Sequence, residues 1–160
     1  MTSIRNKSAF TLLEALIVIF LITLVSAVAT PNVIKWRNAS KLRYAAENAK
    51  GDLELAKLKA IQQNNTVSVV FSATGYQIFV DANQDWNRNS GERSIRNRQL
   101  PAGISFDLAK TSFASSGTKT RFKGRGTALN GSAYLVNSKG AEKRVKITKY
   151  GRVFVETIKK

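Results

Sequence analysis

Hydrophobic positions fall into three regimes along the chain. From Phe10 to Thr30 almost every residue is apolar, and Glu14 is the sole ionisable side chain between residues 10 and 34. At about 1.5 Å per residue this run makes a helix of roughly 30 Å, the thickness of a bilayer core. The pattern therefore predicts a helix able to span a membrane. Beyond Pro31 the apolar positions thin to one stripe. Leu42, Ala45, Ala46, Ala49, Leu53, Ala56 and Ala60 recur at steps of three and four, while Lys41, Arg43, Glu47, Lys50, Asp52, Lys57 and Lys59 fill the other faces. The helix is expected to continue to about Gln63 as an amphipathic segment that sets its small-residue stripe against a sheet. Gly51 weakens it by about 1 kcal/mol relative to Ala.

From Thr66 the period changes. Val67 to Phe71, Tyr76 to Val80, Ile95 to Leu100, Ile104 to Leu108, Ser132 to Val136, Val145 to Thr148 and Val153 to Ile158 are β-branched or aromatic runs bounded by Gly, Asn, Ser or Pro. Asn137-Ser138-Lys139-Gly140 and Tyr150-Gly151-Arg152 read as turns. The expected fold class is α+β, one long helix followed by an antiparallel sheet. The chain divides into residues 1–9, the apolar helix 10–30, its amphipathic continuation 31–64 and a β-rich head 65–160.

Charge narrows the function. Among 160 residues, 26 Lys and Arg stand against 10 Asp and Glu, with no Cys and no His, for a formal charge of +16. No disulfide, thiolate zinc site or His-based catalytic triad can be built, no pair of acids converges, and no cofactor is implied. An enzyme is not expected. The excess charge calls for an anionic partner such as nucleic acid, a membrane surface or an acidic protein.

Arg5 and Lys7 precede the apolar run, and no acid occurs in the first 13 residues. The positive-inside rule then places the N-terminus in the cytoplasm and everything after Thr30 on the far side. A secretory signal peptide would use the same cations, an apolar stretch from Ala15 to Val25 and the small-x-small site Ala27-Val28-Ala29, leaving a secreted basic binding protein. A plain anchor is the other simple reading. Neither has a use for Glu14, which costs on the order of 3 kcal/mol to place in an apolar span.

The run Lys7-Ser8-Ala9-Phe10-Thr11-Leu12-Leu13-Glu14, followed by an apolar helix and Pro31, resembles the N-terminus of type IV pilins and of type II secretion pseudopilins. That resemblance implies cleavage by a prepilin peptidase between Ala9 and Phe10, methylation of the new amine on Phe10, and a role for Glu14 in neutralising the amine of a neighbouring subunit. The family strongly prefers Gly before the cut. Ala9 adds one methyl group there, which is expected to slow processing. The rest of the chain resembles the FimT and GspH group through its order of elements, Phe122-x-Gly124 before a hairpin, and Gly151-Arg152-Val153. The likeness implies the type IV pilin fold and a minor pilin or pseudopilin. Its partners would be other pilin subunits, the peptidase and the inner membrane, which it crosses once with the head in the periplasm before joining a pilus or pseudopilus.

Two constellations remain. Asp81, Asn83, Asp85, Asn87, Asn89 and Glu92 stand at the offsets of an EF-hand calcium loop. Trp86 replaces the glycine needed at the sixth offset, and Arg88 and Arg93 repel a cation, so the loop reads as a surface turn and no metal is assigned. Residues 119–160 hold twelve Lys and Arg against Glu142 and Glu156. Arg144 and Lys146 alternate with Val145 and Ile147, which puts the cations on one face of a strand. Arg125, in the loop Lys123-Gly124-Arg125-Gly126, and Lys149 and Arg152, at a turn, extend a surface suited to a phosphate backbone. Tyr134, Tyr150 and Phe154 are placed to stack on bases or to join the core. In the FimT branch a Gly-Arg-x-Arg motif is tied to DNA capture in natural transformation; Gly151-Arg152-Val153-Phe154 keeps the first Arg and lacks the second. The alternative is a purely structural GspH-like pseudopilin that binds no DNA.

Overall fold

The computed structural model describes residues 11–158 except Ser115. Its first element is helix α1 (Leu12–Gln62). Thr11 starts it as an N-cap, its Oγ1 accepting the Glu14 N–H at 3.2 Å. The helix belongs to two compact units, residues 1–37 and 38–160, which are taken separately.

In the first unit the helix is long and apolar enough to cross a membrane. Its large side chains from Leu12 to Val25 are exposed. Three hydroxyls interrupt the apolar surface, and each donates back to its own helix: Thr23 to the Phe20 carbonyl, Ser26 to that of Ile22 and Thr30 to that of Ser26, all at 2.7 Å. The polar groups are thereby satisfied without water. Pro31 lies inside the helix and brings no N–H for the preceding turn.

In the second unit all seven residues of the small-residue stripe are buried. Alanine holds five of these seven positions, and Leu42 and Leu53 are the larger members of the stripe. Among the described residues nine strands follow: β1 (Val67–Ser72), β2 (Gly75–Val80), β3 (Ser94–Gln99), β4 (Ile104–Phe106), β5 (Ser112–Phe113), β6 (Lys119–Phe122), β7 (Gly131–Asn137), β8 (Glu142–Ile147) and β9 (Val153–Ile158). They form two sheets where one was expected. The first has the order β3-β2-β1-β6; the second runs β4-β7-β8-β9, with β5 also paired to β7. All pairings are antiparallel. The sheets are tied where the Phe106 N–H of β4 donates to the Ala73 carbonyl in the β1–β2 turn (2.9 Å). Phe71 packs against Phe106 and Phe113 with ring centroids 5.1 and 5.4 Å apart, carrying one core across the join.

The departures have local causes. β4 ends at Phe106, two residues early, because the Asp107 carboxylate accepts the N–H groups of Ala109 and Lys110 and turns the chain. β5 and β6 were not foreseen, being only two residues long and polar (Lys-Thr-Arg-Phe), respectively. Asp52, assigned to the polar side of the helix, is buried. It accepts the Tyr76 hydroxyl at 2.7 Å and Arg98 Nε at 2.6 Å, with Arg96 Nε 3.3 Å away. Burial pushes its carboxyl up, but the Arg98 and Tyr76 hydrogen bonds and the two guanidinium charges outweigh that and hold it below the usual carboxylate range. Burial, and after it the hydrogen bond to Asp52, push the Tyr76 hydroxyl up.

Candidate functional site

The register of the second sheet fixes what its outer face displays. Val145 and Ile147 point into the core, so Glu142, Arg144 and Lys146 point outward. Across the strands, Lys146 lies between Ser132 and Phe154, Arg144 between Tyr134 and Glu156, and Glu142 between Val136 and Ile158. The expected row of cations is present, but it is interleaved with acids. Arg144 is bound to Glu156, with Nε 2.8 Å from Oε2 and Nη2 on the same oxygen. Its hydrogen bond raises the guanidinium pKa and lowers that of Glu156. Lys110 Nζ reaches Glu142 at 2.6 Å. Arg144 is thus held in a cross-strand pair with Glu156. Arg121, one of the twelve cations of residues 119–160, is only 8% exposed and donates to the Gln84 side chain and carbonyl.

What remains gathers at one end of the sheet. Lys146, Lys149 and Arg152 have no acidic partner among the described residues. The β8–β9 turn closes with Thr148 N–H donating to the Arg152 carbonyl (3.0 Å) and Gly151 N–H to that of Thr148 (2.8 Å). Gly151 sits at φ +66°, and a Cβ there would lie 2.4 Å from the Gly126 carbonyl oxygen. Only glycine permits that approach. Ala128 N–H donates to the Lys149 carbonyl at 3.0 Å, so the Lys123 to Gly126 loop abuts the turn and brings exposed Arg125 beside Lys149 and Arg152. Lys57, from α1, donates to the Tyr150 carbonyl at 3.1 Å; sequence reasoning had given it no role. Arg152 stands over Phe154, 5.5 Å from its ring centre, and Tyr150 is 75% exposed. Tyr134 is half-buried on the same outer face.

The Asp81 to Glu92 loop does fold its acids together. Carboxylate oxygens of Asp81, Asp85 and Glu92 all lie within 4.8 Å of one another. Trp86 takes φ +68°, the left-handed conformation for which a calcium loop uses glycine. Each acid is already supplied with donors. Asp81 accepts the Ser68 hydroxyl and the Asp85 N–H, Asp85 accepts Asn83, Asn87 and Asn89, and Glu92 accepts the N–H groups of Ala82 and Asn89. A cation is present too: Arg121 lies 3.7 Å from Asp81, with its guanidinium 3.6 Å from the Trp86 ring centre. Calcium titrated to about millimolar concentration is therefore expected to leave Trp86 fluorescence unchanged. A saturable change would show an ion displacing Arg121.

Of the N-terminal site residues, Glu14 is exposed in the first turn of α1. Ala9 and Phe10 lie outside the described residues.

Residues 45–151 match the family described as type II transport protein GspH, and residues 4–30 match the prokaryotic N-terminal methylation motif. Three solved structures share the fold. The minor pseudopilin EpsH from the type 2 secretion system of Vibrio cholerae superposes with a TM-score of 0.58 at 12% identity, over 73% of this chain and 97% of that one. The type IV minor pilin FimU of Pseudomonas aeruginosa gives 0.57 at 19%, over 76% and 92%. GspH of E. coli gives 0.56 at 15%, over 74% and 89%. No curated protein is a significant match.

Proposed function

Because the chain belongs to the GspH family of type II transport proteins, we propose that it is a minor pilin or pseudopilin whose head also binds nucleic acid. It is made as a single-pass inner-membrane precursor with the head in the periplasm. Prepilin peptidase cuts between Ala9 and Phe10 and methylates Phe10, and Glu14 guides the mature subunit into a pilus or pseudopilus. The methylation motif over residues 4–30 and the apolar helix support this part of the reading.

The nucleic-acid role rests on one observation: Arg125, Lys146, Lys149 and Arg152 are exposed, unpaired within the described residues, and set around two abutting loops. Phosphates can meet these cations without breaking an internal pair, and Tyr150 and Phe154 offer ring faces for bases. Full-length protein in neutral detergent is expected to retard single- and double-stranded DNA in a gel. Four neutralised phosphates predict roughly a hundredfold weakening of duplex binding between about 50 and 200 mM salt. Changing Lys146, Lys149 and Arg152 together to Glu is expected to abolish the shift; Arg144→Glu alone would also break the pair with Glu156. The Arg144–Glu156 and Lys110–Glu142 pairs favour a second, purely structural reading of the head. No retardation at low salt, or a shift insensitive to the triple change, selects it.

A further inference from the structure

Among the described residues the two sheets present four edges, and three of these are guarded. On β6, Leu129 N–H donates to the Arg121 carbonyl (3.2 Å) and Lys123 N–H to that of Thr127 (2.9 Å), so the chain's own segment covers the edge. β4 meets the β1–β2 turn through the Phe106 to Ala73 bond already described. β3 carries Arg96 and Arg98, and its pairing with β2 shifts register between Ile78 and Phe79. Charged side chains and irregular pairing both discourage strand addition.

Among the described residues, β9 is met by no covering segment and shows no register shift. Its pairing with β8 is continuous over six residues, with no bulge and no proline. The bond from Thr148 N–H to the Arg152 carbonyl sets the phase of the ladder: Phe154, Glu156 and Ile158 exchange main-chain bonds with β8. The N–H and C=O groups of Val153, Val155 and Thr157 therefore face away from the sheet. No backbone bond reaches them among the described residues. Beside the start of this edge runs a groove of about 510 Å³ lined by Lys50, Glu54, Lys57 and Leu58 of α1 and by Gly151 to Phe154.

We infer that the β9 edge and this groove dock an extended acidic segment of another polypeptide by strand addition. Main-chain donors and acceptors repeating at every second residue match a peptide strand, and a nucleic-acid backbone has no N–H groups to return. The cations Lys50, Lys57 and Arg152 outnumber Glu54 along the groove and select acidic side chains at its rim. Leu58 and Phe154 supply apolar contact for the alternate residues. A second copy of this chain is a poor occupant, because each copy carries a formal charge of +16 and like charges repel.

The probe is the peptide Glu-Val-Glu-Val-Glu-Val with blocked ends, titrated into full-length protein in neutral detergent and read by amide hydrogen exchange. Expected is new protection at the amides of Val153, Val155 and Thr157, with no binding of the matching Lys-Val peptide. Val155→Pro removes one outward N–H, a replacement that an edge position accommodates, and is expected to weaken the peptide at least tenfold while leaving DNA retardation unchanged. Should that variant unfold, Lys50→Glu serves instead, and weakened binding of the acidic peptide is expected. Absence of protection at the three amides, equal binding of the Lys-Val peptide, or the same protection from an oligonucleotide overturns the assignment. Loss of DNA binding with the peptide effect intact would defeat only the nucleic-acid reading.

Discussion

Asp52→Ala is expected to destabilise the head by about 3 kcal/mol, measured by urea unfolding, because it removes the acid from a buried charge pair. Asp52 receives the Tyr76 hydroxyl and two arginines, and joins α1 to the first sheet. Without it the Tyr76 hydroxyl is left without its partner inside the core, at a residue 2% exposed. The Arg98 side chain is 30% exposed and can recover water, which keeps the loss at the lower end of what buried pairs show. Acid should reproduce the effect in the wild type. The folded carboxyl is held below its unfolded value of about 3.9, so the unfolded chain takes up the proton first. The pair's contribution is complete above roughly pH 5, declines below about pH 4 and vanishes as the folded carboxyl itself protonates. Asp52→Asn should flatten that limb of the pH profile. Glu156 is also lowered, but its pair with Arg144 lies at the surface and contributes little. A wild-type midpoint and an unchanged acid limb in Asp52→Ala would show that the cluster does not hold the helix to the sheet.

That cluster was within reach of the sequence. Asp52 follows Ala49 by three and precedes Ala56 by four, which is the step of the buried stripe itself. Its charge alone put it on the polar side. Most strands were legible because one face of each is apolar, and the helix stripe was legible because small residues recur at its period. β6 was not, since Arg121 is covered by Gln84 and Trp86 from a loop thirty-odd residues away, and no local pattern encodes such a cover. The division into two sheets was equally silent, because strand order depends on pairings between distant segments. At the candidate site, alternation correctly put Arg144 and Lys146 on one face. It could not tell that the neighbouring strand would place Glu156 against Arg144, which is a matter of register.

Glu14→Ala is expected to leave the membrane-bound amount of the protein unchanged and to lower its incorporation into filaments at least tenfold, read as the ratio of sheared to membrane-bound protein on a blot. An ordinary role for this acid is visible in the fold: it lies in the first turn of α1, where the helix dipole stabilises a carboxylate by about 0.3–1 kcal/mol. The Thr11 cap bonds the Glu14 backbone and does not need its side chain. If that were all, substitution would cost a few tenths of a kcal/mol and incorporation would be nearly normal. An acid among exposed apolar residues Leu12, Leu13, Leu16 and Ile17 instead resists burial by about 3 kcal/mol. Packing the apolar helices of neighbouring subunits together demands that burial, and a positive group from the neighbour is what makes it favourable. The methylated amine of Phe10 in the mature neighbour is the cation the proposed cleavage supplies. Glu14→Gln separates the two roles. It keeps size and hydrogen bonding but has no charge to offer, so it should fail like Ala, whereas Glu14→Asp should retain part of the wild-type incorporation. Normal incorporation of the Gln variant would reduce Glu14 to a helix-end residue.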